Sequence, residues 1–364
     1  MKPIVLRKRI VALFALLLAA CVGGPLPAER RQARKATQAL LAQVETSGLI
    51  IGEFTLSRRP VIDGDTIRID GLRTSLRLAG IDTEETFKAE KDRRAFEAGW
   101  ESYLTAMRGS SPRPVKMATP VGEEAKKFAE RFFEDVELVR LERDHPKEIR
   151  DYYNRYLAYV IARKNGAWVN YNVECVRAGM SPYFMKYGYS RRFHEDFVRA
   201  QDEARAAKRG IWDPTKLHYP DYAERLRWWT SRAEFVQKFE TEADESSDHV
   251  VLTHWDSMRR LEERVGKEVV ILGAVAEIRL GDRGPTKVLL SRRMHSDFPL
   301  IFFDKDVFLG SGASRYQGEF VKVRGVVNRY HDPHKNMDEL QIIVRLPSQL
   351  SGPDRETTRA EAGK

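Results

Sequence analysis

Cysteine is almost missing from this 364-residue chain. There are two, Cys21 in an apolar run near the start and Cys175 far inside. That excludes a disulfide-stapled scaffold, and it fits an exported protein whose one interior cysteine is a small buried apolar residue without a disulfide partner. Long apolar stretches are missing as well. Residues 10–20 fall short of the ~20 a membrane-crossing helix takes. No tandem repeat and no low-complexity core interrupts the sequence. What is present is charge, 62 Lys and Arg against 53 Asp and Glu, for a net +9. A basic chain gains affinity for nucleic acid by counterion release and meets anionic lipid by the same attraction. Its length allows two domains and a tether.

The most informative stretch is residues 61–86, VIDGDTIRIDGLRTSLRLAGIDTEET. Asp63-Gly64-Asp65 is turn chemistry, and residues 66–69 alternate like a half-buried strand. Asp70-Gly71 is a hairpin signal, and residues 74–78 alternate again with Leu76 and Leu78 on one face. Paired this way, Asp65 and Arg77 converge at one end, and residues 82–85 leave that end as an acidic loop. Carboxylates can hold a hard cation, a guanidinium can meet a phosphate, and a further carboxylate can activate water. Standing alone, the same residues describe a polar hairpin with solvated charges.

They do not stand alone. VIDGDT, LRLAGIDTEET, GEEAKKFAERFF, RDYYNRYLAYV, WVNYNVECVRAGM and AKRGIWD follow one another between residues 61 and 213. In these pieces and their order the chain resembles the staphylococcal nuclease family over residues 51–212. The resemblance implies that Asp65 and Asp82 bind Ca2+, with Thr83 adding its backbone carbonyl and Asp63 close by. It implies that Glu85 orients or deprotonates the attacking water. It implies that Arg77 and Arg155 bind the phosphate, and that Tyr153 packs near the nucleotide. Calcium takes oxygen ligands at about 2.3–2.6 Å in irregular geometry, which suits this set. No His, Cys or Ser nucleophile is needed. One departure is Glu84, where the family usually has proline; it loosens the loop and adds a charge beside Glu85. Residues 183–189 give no clear alignment for a nucleotide-stacking tyrosine.

The expected organisation runs as follows. Residues 1–21 look like a lipoprotein signal, cationic and then apolar, ending in the lipobox-like Leu18-Ala19-Ala20-Cys21, with Cys21 lipidated. Val22 then fits delivery to an outer membrane; an ordinary cleaved signal peptide is the alternative. Residues 22–48 are a tether. Residues 49–213 are the nuclease-like domain, with an insertion at 88–120 that hangs over the mouth of the site as packing decoration, a lid or a nucleic-acid contact. One helix is expected over 90–107 and another over 191–208. Asn170 can cap a helix over 171–178 that Gly179 ends. Residues 214–249 are a helical bridge ending in an acidic linker, ETEADESSD, with Trp228 and Trp229 docked on a domain or stacking bases. Residues 250–350 hold five short strands with a helix-like break between the third and fourth, the pattern of an OB barrel. Their sequence resembles bacterial nucleic-acid-binding OB domains, and Arg279, Lys287, Arg324, Arg329 and Tyr330 are its candidate contacts or solvated strand-face residues. Residues 351–364 are a disordered tail.

The fold class is thus a mixed β-barrel plus α: an OB-type five-stranded nuclease barrel with packed helices, a helical bridge and a second OB barrel. The function implied is an exported, lipid-anchored, calcium-dependent endonuclease acting on DNA and RNA. It would sit in the cell envelope facing the periplasm, or be periplasmic or secreted. The alternative is a non-catalytic envelope lipoprotein that binds nucleic acid or protein.

Overall fold

The structure, a computed structural model, describes residues 48–353 except 73, 112, 149–150, 152–154, 246–247, 293–296 and 334–335. Cys21, the signal and tether segments, Tyr153 and the 354–364 part of the tail lie outside the described residues.

The first sheet is built from β1 (Ile50–Asp63), β2 (Thr66–Ile69), β3 (Leu76–Leu78), β4 (Leu138–Glu142), β5 (Tyr156–Lys164) and β6 (Ala167–Asn170). Its order is β3-β2-β1-β4-β5-β6, and a parallel β3–β5 pairing closes the first five strands into a barrel. β1 is 14 residues long. It pairs β4 through its first half and β2 through its second, with register shifts between Leu56 and Asp63 that let one strand bend around the barrel. Inward alternation gives the core: Phe54, Ile67, Leu76, Leu78, Val139, Leu141, Tyr159 and Ile161 are buried.

Helices cover this barrel. In the insertion, α1 (Glu90–Glu97) and α2 (Trp100–Arg108) replace the single helix expected over 90–107. Gly99 sits between them at φ 151°, where no helix can continue. The face expected there still forms: Tyr103 is buried in a cluster with Met117, Ile211, Tyr219 and Tyr222, and Phe96, Trp100, Leu104 and Met107 pack around it. α3 (Pro120–Phe133) buries Ala125, Ala129 and Phe133. α4 (Tyr171–Arg177) is capped by the Asn170 side chain, which accepts from Asn172 N and Val173 N, and Gly179 at φ 71° ends it. α5 (His194–Ala206) starts three residues later than the charge pattern suggests. Cys175 is fully buried.

The acidic linker is corrected by the structure. α6 (Tyr222–Glu245) runs on through most of it. Glu and Ala are good helix formers, and an apolar face holds the helix in place. Trp229 and Ala233 enter the first core, while Phe235, Val236 and Phe239 pack on Val251, Val270, Leu272 and Phe320 of the second sheet.

The second sheet holds β7 (His249–Val251), β8 (Glu268–Arg279), β9 (Thr286–Ser291), β10 (Phe298–Phe302), β11 (Phe320–Asp332), β12 (Met337–Ile343) and β13 (Leu350–Ser351). α7 (Ser257–Glu262) precedes β8, and α8 (Lys305–Ser311), capped by Asp304, lies between β10 and β11. Strands β8, β9, β10, β12 and β11 close into a five-stranded barrel through a parallel β10–β12 and an antiparallel β11–β8 pairing. The short β7 and β13 flank it and carry too little alternation to be seen in sequence. In both barrels the first strand pairs the second and fourth, and the third runs parallel to the fifth. The two barrels therefore share a topology that their sequences do not display. Among the described residues no helix is long and apolar enough to cross a membrane.

Candidate functional site

The site forms where β2, β3 and the loop after β3 meet. Thr66 pairs with Arg77 across the β2–β3 ladder, so Arg77 arrives beside Asp65 by register alone. The Arg77 guanidinium is ion-paired with both Asp65 and Asp82, which sets those two carboxylates about one fork apart. Asp65 accepts further hydrogen bonds from Thr66 Oγ1 at 2.9 Å and from Thr83 N at 3.2 Å. Asp82 is fixed through its own N–H, which donates to Ser181 Oγ at 2.8 Å.

The turn beneath needs glycine. A Cβ on Gly64 would stand 2.7 Å from Thr83 Cγ2, so a side chain there would push the 82–85 loop off Asp65. Gly122, at the start of α3, is tighter still: a Cβ would stand 2.1 Å from the Glu85 carbonyl oxygen. The helix thus seats its first turn directly against the backbone of the acidic loop.

Electrostatics follow from this packing. Burial works to raise the Asp65 pKa, but Arg77 and Lys116 outweigh it and hold the carboxyl at about 2. Burial and the neighbouring Asp65 charge push Asp63 up to about 6. Burial also opposes the Arg77 charge, and Asp65 with Asp82 more than restores it. The Oδ1 of Asp63 is buried with no hydrogen-bond partner. Such an atom is expensive unless something electropositive meets it.

Glu85 is about a third exposed and faces Lys88 Nζ at 3.1 Å and Lys116 Nζ at 3.8 Å. Arg155 stands just before Tyr156, which pairs with Leu76, the neighbour of Arg77 on β3. Its guanidinium binds Asp151 at 2.7 and 2.8 Å. Arg77 joins Asp65 to Asp82, Thr83 N bonds Asp65, and Lys116 links Asp82 to Glu85. Arg155 faces Asp151.

Among the described residues, no group of three or more His, Cys, Asp or Glu forms a ready metal cluster. The donor chemistry nevertheless fits a hard cation: adjacent Asp65 and Asp82 carboxylates, the Thr83 backbone alongside, and an orphaned Asp63 oxygen.

Sequence reasoning missed four contributors. Ser181 anchors Asp82, and Lys88 and Lys116 pair with site carboxylates. The fourth is the environment of Glu84. Far from loosening the loop, Glu84 is 1% exposed and accepts from Thr119 Oγ1, from Tyr219 N at 2.7 Å and from Tyr222 Oη at 2.8 Å. Burial raises its pKa against those three bonds. Only its odd place in the motif hinted at this.

In the second barrel, Arg324 pairs with Glu268 at 3.0 Å, and Arg329 with Glu262 and Asp338. These pairs are exposed and weak, so either arginine can exchange its partner for a phosphate at little cost. Tyr330 is 43% exposed, Phe303 is exposed, and Phe302 belongs to the core. Trp229 is buried, and Trp228 donates to Glu319 Oε1 at 2.7 Å, so both tryptophans dock on protein.

A closed OB-type barrel with an ion-paired cluster of Asp65, Arg77 and Asp82 defines the class of fold and site. The family model described as "Staphylococcal nuclease homologue" matches residues 75–214. The thermonuclease of Staphylococcus hyicus is 32% identical over 155 residues, covering 42% of this chain and 72% of that protein. The thermonuclease of Staphylococcus intermedius is 30% identical over 167 residues, covering 44% and 77%. Uncharacterized protein MJ1439 of Methanocaldococcus jannaschii is 28% identical over 162 residues, covering 42% and 69%. The chain belongs to the staphylococcal nuclease family. Asp65 lies ahead of the span the family model matches, and its place in the site rests on the β2–β3 pairing.

Proposed function

We propose that this protein is a calcium-dependent nuclease that hydrolyses phosphodiester bonds of DNA and RNA. One observation carries the reading: Arg77 pairs with both Asp65 and Asp82, and Lys116 ties Asp82 to Glu85, in a barrel of this family. Asp65, Asp82 and the Thr83 carbonyl would hold the ion, with Asp63 beside them. Bound there, calcium would supply positive charge to the phosphate oxygens.

Every other part falls to the chain. Arg77, held on Asp65 and Asp82, would present its planar fork to a non-bridging oxygen once released from them. Arg155 would do the same once it leaves Asp151. Glu85, open to solvent on one side, would orient the attacking water and take its proton. Contacts to phosphates rather than base edges suit a broad substrate range.

The reading extends to the whole chain. Residues 49–213 would be the nuclease unit, 214–249 the bridge, and 250–350 an OB unit holding single strands near the site through Arg324, Arg329 and Tyr330. Lipidation at Cys21 would anchor the chain in the cell envelope.

The test is cleavage of single-stranded DNA, duplex DNA and RNA across a calcium titration, with a chelator arm and Glu85→Gln alongside. Chelator-sensitive cleavage that Glu85→Gln lowers by orders of magnitude, at nearly unchanged nucleic-acid affinity, supports the reading. Absence of chelator-sensitive cleavage returns the chain to a non-catalytic binder.

A further inference from the structure

The insertion at 88–120 leaves the site at one lysine and re-enters it at another. Lys88 Nζ lies 3.3 Å from Asp63 Oδ2 and 3.1 Å from Glu85 Oε2. Lys116 Nζ lies 2.6 Å from Asp82 Oδ1 and 3.8 Å from Glu85 Oε1. The arm that carries Lys116 is firmly held. Thr119 N donates to Glu85 O at 3.0 Å, and Tyr103 Oη donates to Ala118 O at 3.0 Å. Met117 N donates to Tyr219 Oη at 3.0 Å, and that hydroxyl donates to Met117 O at 2.8 Å. Met117, Ala118 and Thr119 are buried, while the Lys116 side chain is 47% exposed. A fixed backbone thus presents a half-exposed ammonium to one of the two aspartates proposed to hold the ion.

We propose that Lys116 is a tethered cation that competes with the divalent ion for Asp82 and so sets the calcium concentration at which the site loads. This rests on the metal reading of Asp65 and Asp82. An ammonium and a divalent ion cannot share one buried carboxylate oxygen, because their repulsion at a few Å is severe in anything less polar than water. Lys116 is the partner built to leave. Its charge is compact, well hydrated and on a flexible stem, whereas Arg77 is forked across two carboxylates. With no ion bound, Lys116 balances Asp82 and keeps the loop in shape. When an ion arrives, the lysine must swing outward, toward the side from which a phosphodiester approaches.

The test is calorimetric titration of calcium into the full chain without nucleic acid, comparing the unaltered protein with Lys116→Gln, Lys116→Met, Lys116→Arg and the surface control Lys127→Gln. Competition predicts that either neutral variant binds calcium ~10-fold more tightly, a change of about 1.4 kcal/mol. Lys116→Arg and Lys127→Gln should stay near the unaltered protein. Two neutral variants guard against one that fails to fold, which thermal melting would reveal. Equal or weaker calcium binding by the folded neutral variants, with clear binding by the unaltered protein, overturns the role of Lys116 and spares the metal reading. No calcium binding by any of them, Lys116→Gln and Lys116→Met included, overturns both.

Discussion

Replacing Glu84 separates hydrogen bonding from charge in the loop that carries Asp82 and Glu85. The buried carboxylate takes three donors: Thr119 Oγ1, Tyr219 N and Tyr222 Oη. Glu84→Ala leaves those donors unmet, at roughly 1–3 kcal/mol each. Removing a buried, desolvated carboxylate returns part of that cost, as the upward shift of its pKa shows. The expected net loss is about 2–4 kcal/mol. Glu84→Gln keeps one carbonyl oxygen for Tyr219 N and Tyr222 Oη and turns its amide toward the Thr119 hydroxyl, so its cost should stay under about 1.5 kcal/mol. Urea denaturation reads both. Because Thr119 N and Gly122 hold the neighbouring Glu85 backbone, Glu84→Ala should also lower calcium-dependent cleavage by ~10–100-fold at a temperature where it is folded. If Glu84→Ala unfolds within 1 kcal/mol of the unaltered protein, or if Glu84→Gln is equally damaging, the clamp does not exist as described.

Three further perturbations follow from particular contacts. Arg77→Lys should cut cleavage by at least ~100-fold, since a point ammonium cannot span Asp65 and Asp82 or meet a phosphate with two parallel bonds; steady-state kinetics checks this, and near-normal turnover would contradict it. Glu319 accepts from Trp228 Nε1 at 2.7 Å and Arg232 Nη1 at 2.6 Å and also pairs with Arg113, so it joins bridge, insertion and second barrel. Glu319→Ala should cost about 3–5 kcal/mol by stranding the buried Arg232 guanidinium, read by denaturant unfolding. The pKa of His145 is lowered to about 4 by burial, then by Arg191, His254 and Lys147 against Glu148. A lowered histidine favours the neutral form, so its contribution is complete above about pH 6.5 and is lost as pH falls through about 4. His145→Gln should remove about 1–2 kcal/mol of acid sensitivity across that window, a figure discounted for a half-buried ring. Unfolding measured at pH 7, 5.5 and 4 tests this.

Local chemistry made several elements legible. The Asp-Gly turn and the alternation of Leu76 and Leu78 gave the hairpin and its register, and with them the meeting of Asp65 and Arg77. Asn170 and Gly179 marked both ends of α4. The five strands and one helix of the second barrel were visible because each strand is a short run rich in apolar and β-branched residues, bounded by turn residues. Less legible were elements whose cause lies far away in sequence. β7 and β13 are strands only because β8 and β11 offer them an edge. The end of α6 reads as a polar linker until Phe235, Val236 and Phe239 find the second barrel.

The sequence by itself determined two barrels, a helical connection between them and the rim at which acids and arginine gather, because hydrophobic period and turn chemistry act over a few residues. Tertiary structure alone decided the surroundings of that rim. Lys88 and Lys116, both at the edges of the insertion, come to face Glu85 together, with Asp63 and Asp82 as their separate partners. Tyr219 and Tyr222, some 135 residues beyond Glu84, close over it. No local pattern encodes such pairings, because they exist only once the cores have packed and brought distant backbone into hydrogen-bond range.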